Sequence, residues 1–337
     1  MKTIRWGMIG CGDVAEIKSG PGFYKADRST LVAVMRRNGR LAEDYARRHG
    51  VGRWSADAED ILRAPDIDAV YIATLTDSHR DYTLRCAAAG KHVYVEKPMG
   101  MTHAECQDMI AACARAGVSL WVGYYRRALP RFLAVKSLVE SGAIGTVRAV
   151  VSRVSQRLPE MTPDNPILWR VDAEKSGGGF FFEGACHTFD FLDFMFGPIV
   201  GVRAIAANQA GAWAPEDMVA ATWRFDSGIV GTGLWCYAAD HDHEMNEIVG
   251  STGRIRFSTS QPVPIQLLRG GTVEEIPERD PPHVHQPLIQ SIVDELNGQG
   301  RCPSTGETAA RTALVMDEIL AGFRATDRKG TTQNQLR

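Results

Sequence analysis

Short apolar runs alternate with helical stretches along the first 120 residues, and that alternation restricts the architectures open to the chain. Ile4 to Ile9, Leu31 to Met35, Ala69 to Ala73, Val93 to Val95 and Ser119 to Val122 read as strands. The stretches 40–49, 81–89 and 103–116 read as helices, with Gly50, Gly90 and Gly117 standing where such helices stop. Strands this apolar need cover on both faces. The pattern therefore predicts a doubly wound, parallel α/β sheet over residues 1–122.

The texture changes near residue 125. β-branched runs over 146–157 and 219–276, with turn stretches such as "DSGIVGTG" and "GSTGRIRF", predict longer and more antiparallel strands. One very apolar helix, 180–196, interrupts them, and a last helix is expected at about 307–324. Residues 123–337 thus read as a second, α+β domain.

Bulk properties exclude several functions. Lys plus Arg number 38 against 40 Asp plus Glu, for a net charge of -2, so neither a nucleic-acid surface nor an acidic tail is suggested. No apolar run reaches the roughly 18 residues of a membrane span. The N-terminus enters a strand directly, and the seven scattered cysteines contain no CxxC pair. A cytoplasmic protein with reduced thiols is the expectation.

The first strand runs into "MIGCGDVAE", which holds Gly10-x-Gly12-x-x-Ala15. Gly10 permits a tight turn, Gly12 lets backbone approach a pyrophosphate, and Ala15 is small enough for close packing. Cys11, Asp13 and Val14 complete this candidate dinucleotide turn. The second strand ends in Met35-Arg36-Arg37-Asn38, without the acid that would accept from an NAD ribose. Arg36 and Arg37 suit a 2′-phosphate, so NADP(H) is expected over NAD(H). The alternative is that these arginines stack on adenine or sit in solvent.

The "VYVEKPMG" strand ends in Glu96-Lys97-Pro98, with Glu96 and Lys97 as candidate cofactor-binding residues. Ligands of parallel sheets sit beyond the carboxyl ends of strands, and a lysine there can stabilise negative charge on a substrate oxygen. A plain surface Glu–Lys pair is the competing account. Further on, "SGGGFFFEGACHTFDFLDFMFGP" places Glu183, His187 and Asp190 on one stripe of an apolar helix. Polar groups there cost free energy unless paired or used. Three titratable groups behind Gly177-Gly178-Gly179 favour a site over a core histidine tied to Asp190. In this reading the glycines bring backbone close to a ligand.

Taken together, these stretches resemble the glucose–fructose oxidoreductase / inositol dehydrogenase / MocA (Gfo/Idh/MocA) family over nearly the whole length. Tyr125-Arg126-Arg127 and Trp169-Arg170 also carry the likeness. The resemblance implies a Rossmann domain, a second domain on an open sheet that commonly mediates oligomers, a nicotinamide cofactor, and a sugar or cyclic polyol substrate. It implies that Lys97 and His187 are catalytic. Glu183 stands where the family commonly has Asp. Trp169-Arg170 corresponds to a pair lying against the nicotinamide half of the cofactor. Thr74-Leu75-Thr76, with His79, corresponds to the loop under its ribose.

The expected reaction is reversible hydride transfer between the nicotinamide and a carbinol carbon. His187 exchanges the hydroxyl proton, Lys97 stabilises the oxygen, and Glu183 orients His187 or binds a neighbouring hydroxyl. Lys97 and His187 must then converge on one oxygen. Tyr125 and Arg126 are candidates to line the pocket, with Arg127 as an anchor between domains. Asp172 is open between binding substrate hydroxyls and bridging Arg170. His241, His243, His283 and His285 are not taken as metal ligands, and His285 is a candidate to reach the pocket. Two other activities fit the same motifs: an NAD-dependent glycosidase working by transient oxidation, and a non-catalytic dinucleotide- or sugar-sensing regulator.

Overall fold

A computed structural model describes residues 1–160, 162, 165 and 168–334, with side chains as far as residue 325. The chain divides into two compact units, Met1–Leu129 with Asp280–Ala310, and Pro130–Arg279 with Arg311–Arg337. A boundary near residue 122 was read from the sequence; the segment 280–310 belongs to the first unit.

The first unit holds six parallel strands: β1 Ile4–Ile9, β2 Ser29–Met35, β3 Arg53–Ser55, β4 Ala69–Ile72, β5 His92–Val95 and β6 Leu120–Val122. Their order is β3-β2-β1-β4-β5-β6, so chain direction across the sheet reverses between β1 and β4. Such a switch point opens a crevice beyond the strand ends. β3 was not anticipated. It is three residues long with an exposed Trp54, too short and too wet to show a strand pattern.

Helices 39–49 and 103–116 start on the side chains of Asn38 and Thr102, which accept backbone N–H groups, and stop at left-handed Gly50 and Gly117. Trp6, Phe23, Tyr71 and Tyr94 form a buried ring cluster, with centroids 4.9 Å apart for Trp6–Phe23 and 5.0 Å for Tyr71–Tyr94. The helix Gln286–Leu296 buries Leu288, Ile289, Ile292 and Val293 in the same core, as its apolar stripe requires.

The second unit is built on eight strands: β7 Val147–Arg157, β8 Ile199–Ala207, β9 Met218–Phe225, β10 Val230–Ala239, β11 His243–Gly250, β12 Gly253–Phe257, β13 Ile265–Arg269 and β14 Thr272–Ile276. Their order is β14-β13-β12-β11-β7-β10-β9-β8. All neighbours are antiparallel except β7 and β10, which run parallel. The helix Phe180–Phe196 packs its rings on the sheet, with Phe181 5.1 Å from Trp235 and Phe189 5.2 Å from Trp223. The buried Asp193 carboxylate takes two 2.7 Å hydrogen bonds from Arg311, fixing that helix to the helix Gly306–Asn334. The latter runs further than the 307–324 expected. Among the described residues no helix is long and apolar enough to cross a membrane.

Candidate functional site

In the first unit, candidate residues gather beyond the carboxyl ends of β1, β2, β4 and β5. Gly10 has φ +94°, and a Cβ there would lie 2.8 Å from the Ala73 carbonyl, so the turn needs glycine for its own packing. Gly12 differs. Its backbone is extended, and a Cβ would meet nothing closer than the Gly10 oxygen at 3.9 Å. The space over Gly12 is open, which is the cradle a pyrophosphate needs. The residues present therefore fit a dinucleotide. The helix that follows, Asp13–Ile17, is only five residues long, with Asp13 and Glu16 in its first turn. Cys11 is buried beneath it, and burial pushes its thiol up to about 11.

Arg36 is half-buried and reaches the Cys11 carbonyl at 3.4 Å, while Arg37 is exposed. Asn38 accepts from Leu41 N–H as the helix cap. Thr74, Leu75 and Thr76 form the turn after β4, where Ser78 Oγ donates to Thr74 Oγ1 at 2.8 Å and to the Leu75 carbonyl at 2.9 Å. The His79 ring faces two backbone carbonyls and is buried.

Glu96 points into the protein. Its carboxyl group takes a 2.5 Å hydrogen bond from Tyr71 Oη and a 3.2 Å bond from the Lys97 N–H. Burial raises its pKa, against the pull of Tyr71 and of the charges on Lys97 and His79. His285 lies behind it and is 0% exposed. Its Nδ1 is 2.7 Å from Tyr94 Oη, and its Nε2 is 3.5 Å from Glu96 Oε1. Burial, then the charges of Lys18, Arg126 and Lys97, depress the His285 pKa to about 3, so the ring is neutral at ordinary pH. Tyr125 packs on it with ring centroids 4.5 Å apart, and the Arg126 guanidinium sits 5.0 Å over Tyr125. Arg127 donates to the Pro303 carbonyl and so holds the returning segment inside its own unit.

Sequence reasoning took Glu96 as a surface or cofactor group and did not find its partners. Tyr71 and Tyr94 are direct neighbours in the β4–β5 register, which a reading of strands can suggest. His285 was named from sequence as a candidate to reach the pocket, but nothing local shows that it packs behind Glu96 against Tyr94.

In the second unit, Glu183 and His187 lie one turn apart on the 180–196 helix, 5% and 9% exposed, with Asp190 a further turn along and buried. Gly178 and Gly179 have an internal explanation. A Cβ on Gly179 would sit 2.6 Å from the Glu216 carbonyl oxygen, and one on Gly178 would sit 2.6 Å from Phe182 Cβ. Close packing against Phe182 at Gly178 and against Pro215-Glu216 at Gly179 accounts for both, and the Gly179 N–H donates to the buried Glu216 carboxyl at 2.9 Å. Trp169 and Arg170 stack with the guanidinium 5.0 Å over the indole. Asp172 caps the turn 173–176 and pairs with Lys175, which holds its carboxyl below the usual range.

A cleft of about 320 Å³ lies where β7, β10 and β11 end against Phe180. Gln156, Arg157, Asp242, His243 and Gln261 offer it polar side chains. Its wall is fixed by Glu244. Burial pushes that carboxyl up, but hydrogen bonds from Ser260, Thr259 and Ser258 outweigh this and hold it below its ordinary value. Of this set only His243 was singled out from sequence. Of the other histidines, His241 pairs with Asp240 and His283 bonds the Ile17 carbonyl and Lys25.

Two family models match the chain. An oxidoreductase family with an NAD-binding Rossmann fold covers residues 4–124, and the GFO/IDH/MocA C-terminal domain covers residues 132–256. The chain belongs to the Gfo/Idh/MocA oxidoreductase family. It is 38% identical to an oxidoreductase of Formosa agariphila over 93% of this chain and 97% of that one. It is 28% identical to a 1,5-anhydro-D-fructose reductase of Ensifer adhaerens, over 90% and 91% of the two chains. The crystal structure of an aldose-aldose oxidoreductase from Caulobacter crescentus complexed with glycerol superposes with a TM-score of 0.84 at 25% identity, covering 98% of each chain. As a Gfo/Idh/MocA member the chain is an NAD(P)-binding oxidoreductase that acts on CH–OH groups, of the kind that handles sugars and polyols.

Proposed function

We propose that the chain is an NADP(H)-dependent oxidoreductase moving a hydride between the nicotinamide and a carbinol or carbonyl carbon of a sugar, sugar derivative or cyclic polyol. The observation that carries the cofactor choice is the end of β2, where Arg36 and Arg37 stand in place of an acid. The bound nicotinamide supplies the hydride acceptor or donor. Gly10, Cys11, Gly12, Asp13 and Val14 hold the pyrophosphate, Arg36, Arg37 and Asn38 the phosphorylated ribose, and Thr74, Leu75, Thr76 and His79 the turn beneath the second ribose.

Lys97 stabilises the oxygen of the reacting carbon as negative charge develops on it. His187 takes the hydroxyl proton in oxidation and returns it in reduction, a task suited to a group whose ordinary pKa of about 6.5 lies near working pH. Glu183, one turn earlier, orients His187 or binds the adjacent hydroxyl. Trp169 and Arg170 serve the nicotinamide half. The second-unit cleft supports a polyhydroxyl substrate, because its amide, carboxylate, imidazole and guanidinium groups match vicinal hydroxyls. Its sheet exposes Ile205, Val230 and Leu234, which supports a homo-oligomer formed through that face.

The test is a screen of aldoses, ketoses, inositols and nitrophenyl glycosides with NADP and NAD. Net change in reduced-nicotinamide absorbance supports this reading. Nitrophenol release without net reduction points instead to the glycosidase chemistry. Tight dinucleotide binding with no turnover of any sugar points to a regulator.

A further inference from the structure

His79 opens the helix His79–Ala88, and its ring is 1% exposed. Nδ1 lies 2.9 Å from the carbonyl oxygen of Pro98, and Nε2 lies 3.1 Å from the carbonyl oxygen of Thr74. Both partners are acceptors and cannot change role. A neutral imidazole has one N–H, so it satisfies one carbonyl and turns a lone pair on the other. In a buried site that mismatch forfeits a hydrogen bond and sets two lone pairs against each other. The doubly protonated ring has a donor for each.

We propose that His79 is held as the imidazolium, a positioning residue whose two N–H groups tie the turn at Thr74 to the strand exit that carries Lys97. The charged neighbours allow it. Glu96 is the buried carboxyl nearby; burial raises its pKa, and the charge on His79 is one of the smaller pulls against that. Arg80, next on the helix, is paired with Asp108 at 2.8 Å, and Asp77 is exposed. Lys97 is the like charge that opposes the ring's proton. The clamp joins the ends of β4 and β5, the two strands whose exits carry the ribose turn and the lysine. A ring engaged on both nitrogens in this way acts through its neighbours rather than by direct contact with a cofactor. That it places Lys97 for catalysis rests on the proposed function; its protonation does not.

Ring-nitrogen NMR on the full-length, 15N-labelled protein reads the protonation directly, with the spectrum of His79→Asn providing the assignment. Near pH 7.5 both nitrogens of His79 are expected to carry protons. A bare nitrogen at that pH overturns the proposal, whether or not any substrate is ever turned over. A second measurement titrates NADP+ and NAD+ against wild type and His79→Gln, which has one donor nitrogen instead of two. Wild-type affinity falls by about tenfold as pH rises through loss of the ring proton, the weight of one buried hydrogen bond, while the variant stays flat. Parallel profiles in the two proteins exclude the clamp.

Discussion

Tyr94 Oη lies 2.7 Å from Nδ1 of His285, a residue 191 positions later in the chain. This contact draws the returning segment 280–310 against the end of β5, directly behind Glu96 and Lys97. The strand exit is therefore backed by a buried polar network, Tyr71–Glu96 and Tyr94–His285, and not by apolar packing alone. Such networks are costly unless satisfied and then hold one geometry.

His285 makes stability sensitive to acid. Its pKa is depressed from 6.5 to about 3 in the folded protein. The stabilisation is complete above pH 6.5 and is lost as pH falls towards about 3, at no more than about 1.4 kcal/mol per pH unit for one proton. Glu96 opposes this, since its raised pKa contributes stability below its ordinary value that is lost at higher pH. Urea unfolding from pH 7 to pH 4 should show a smaller acid loss in His285→Gln than in wild type.

Tyr94→Phe removes the partner of the His285 Nδ1 and leaves a buried ring nitrogen without that bond. A loss of about 1–3 kcal/mol is expected, read as a shift of the denaturation midpoint at constant slope.

The two glycine clusters should separate stability from binding. Gly12→Ala meets open space, so it should fold normally yet bind dinucleotide poorly. Gly179→Ala drives a methyl against the Glu216 carbonyl and should cost about 1–3 kcal/mol while leaving NADP+ affinity in the folded fraction intact. Calorimetric unfolding beside a cofactor titration checks both; equal loss of stability would remove the distinction.

Lys97→Ala should lower turnover by about 10²–10³, and His187→Ala by about 10²–10⁴. If both side chains serve one oxygen, the double variant should lose less than the product of the single losses. Steady-state rates with whichever polyol the screen identifies provide the measurement.

Arg36→Asp should weaken NADP+ by about tenfold to a hundredfold, the weight of a charge-assisted hydrogen bond, and leave NAD+ binding equal or improved. Dissociation constants for both dinucleotides, measured at fixed salt, decide it.

The residue order fixed much in advance. Short apolar strands covered on both faces can form only a parallel layered sheet, so the first unit was legible. Gly10 and Gly12 right after β1 marked the turn, and the polar stripe Glu183, His187, Asp190 stood out because its helix is otherwise apolar. What stayed hidden depends on contacts between distant residues. Periodicity tells which side of an element is buried, not what covers it. Hence the return of 280–310 to the first unit, the parallel β7–β10 pair and the Glu216 carbonyl that demands Gly179 could be seen only once folded. His79 shows the limit most sharply. A sequence names an imidazole, but the number of acceptors around its nitrogens is set by where two other strand ends come to rest.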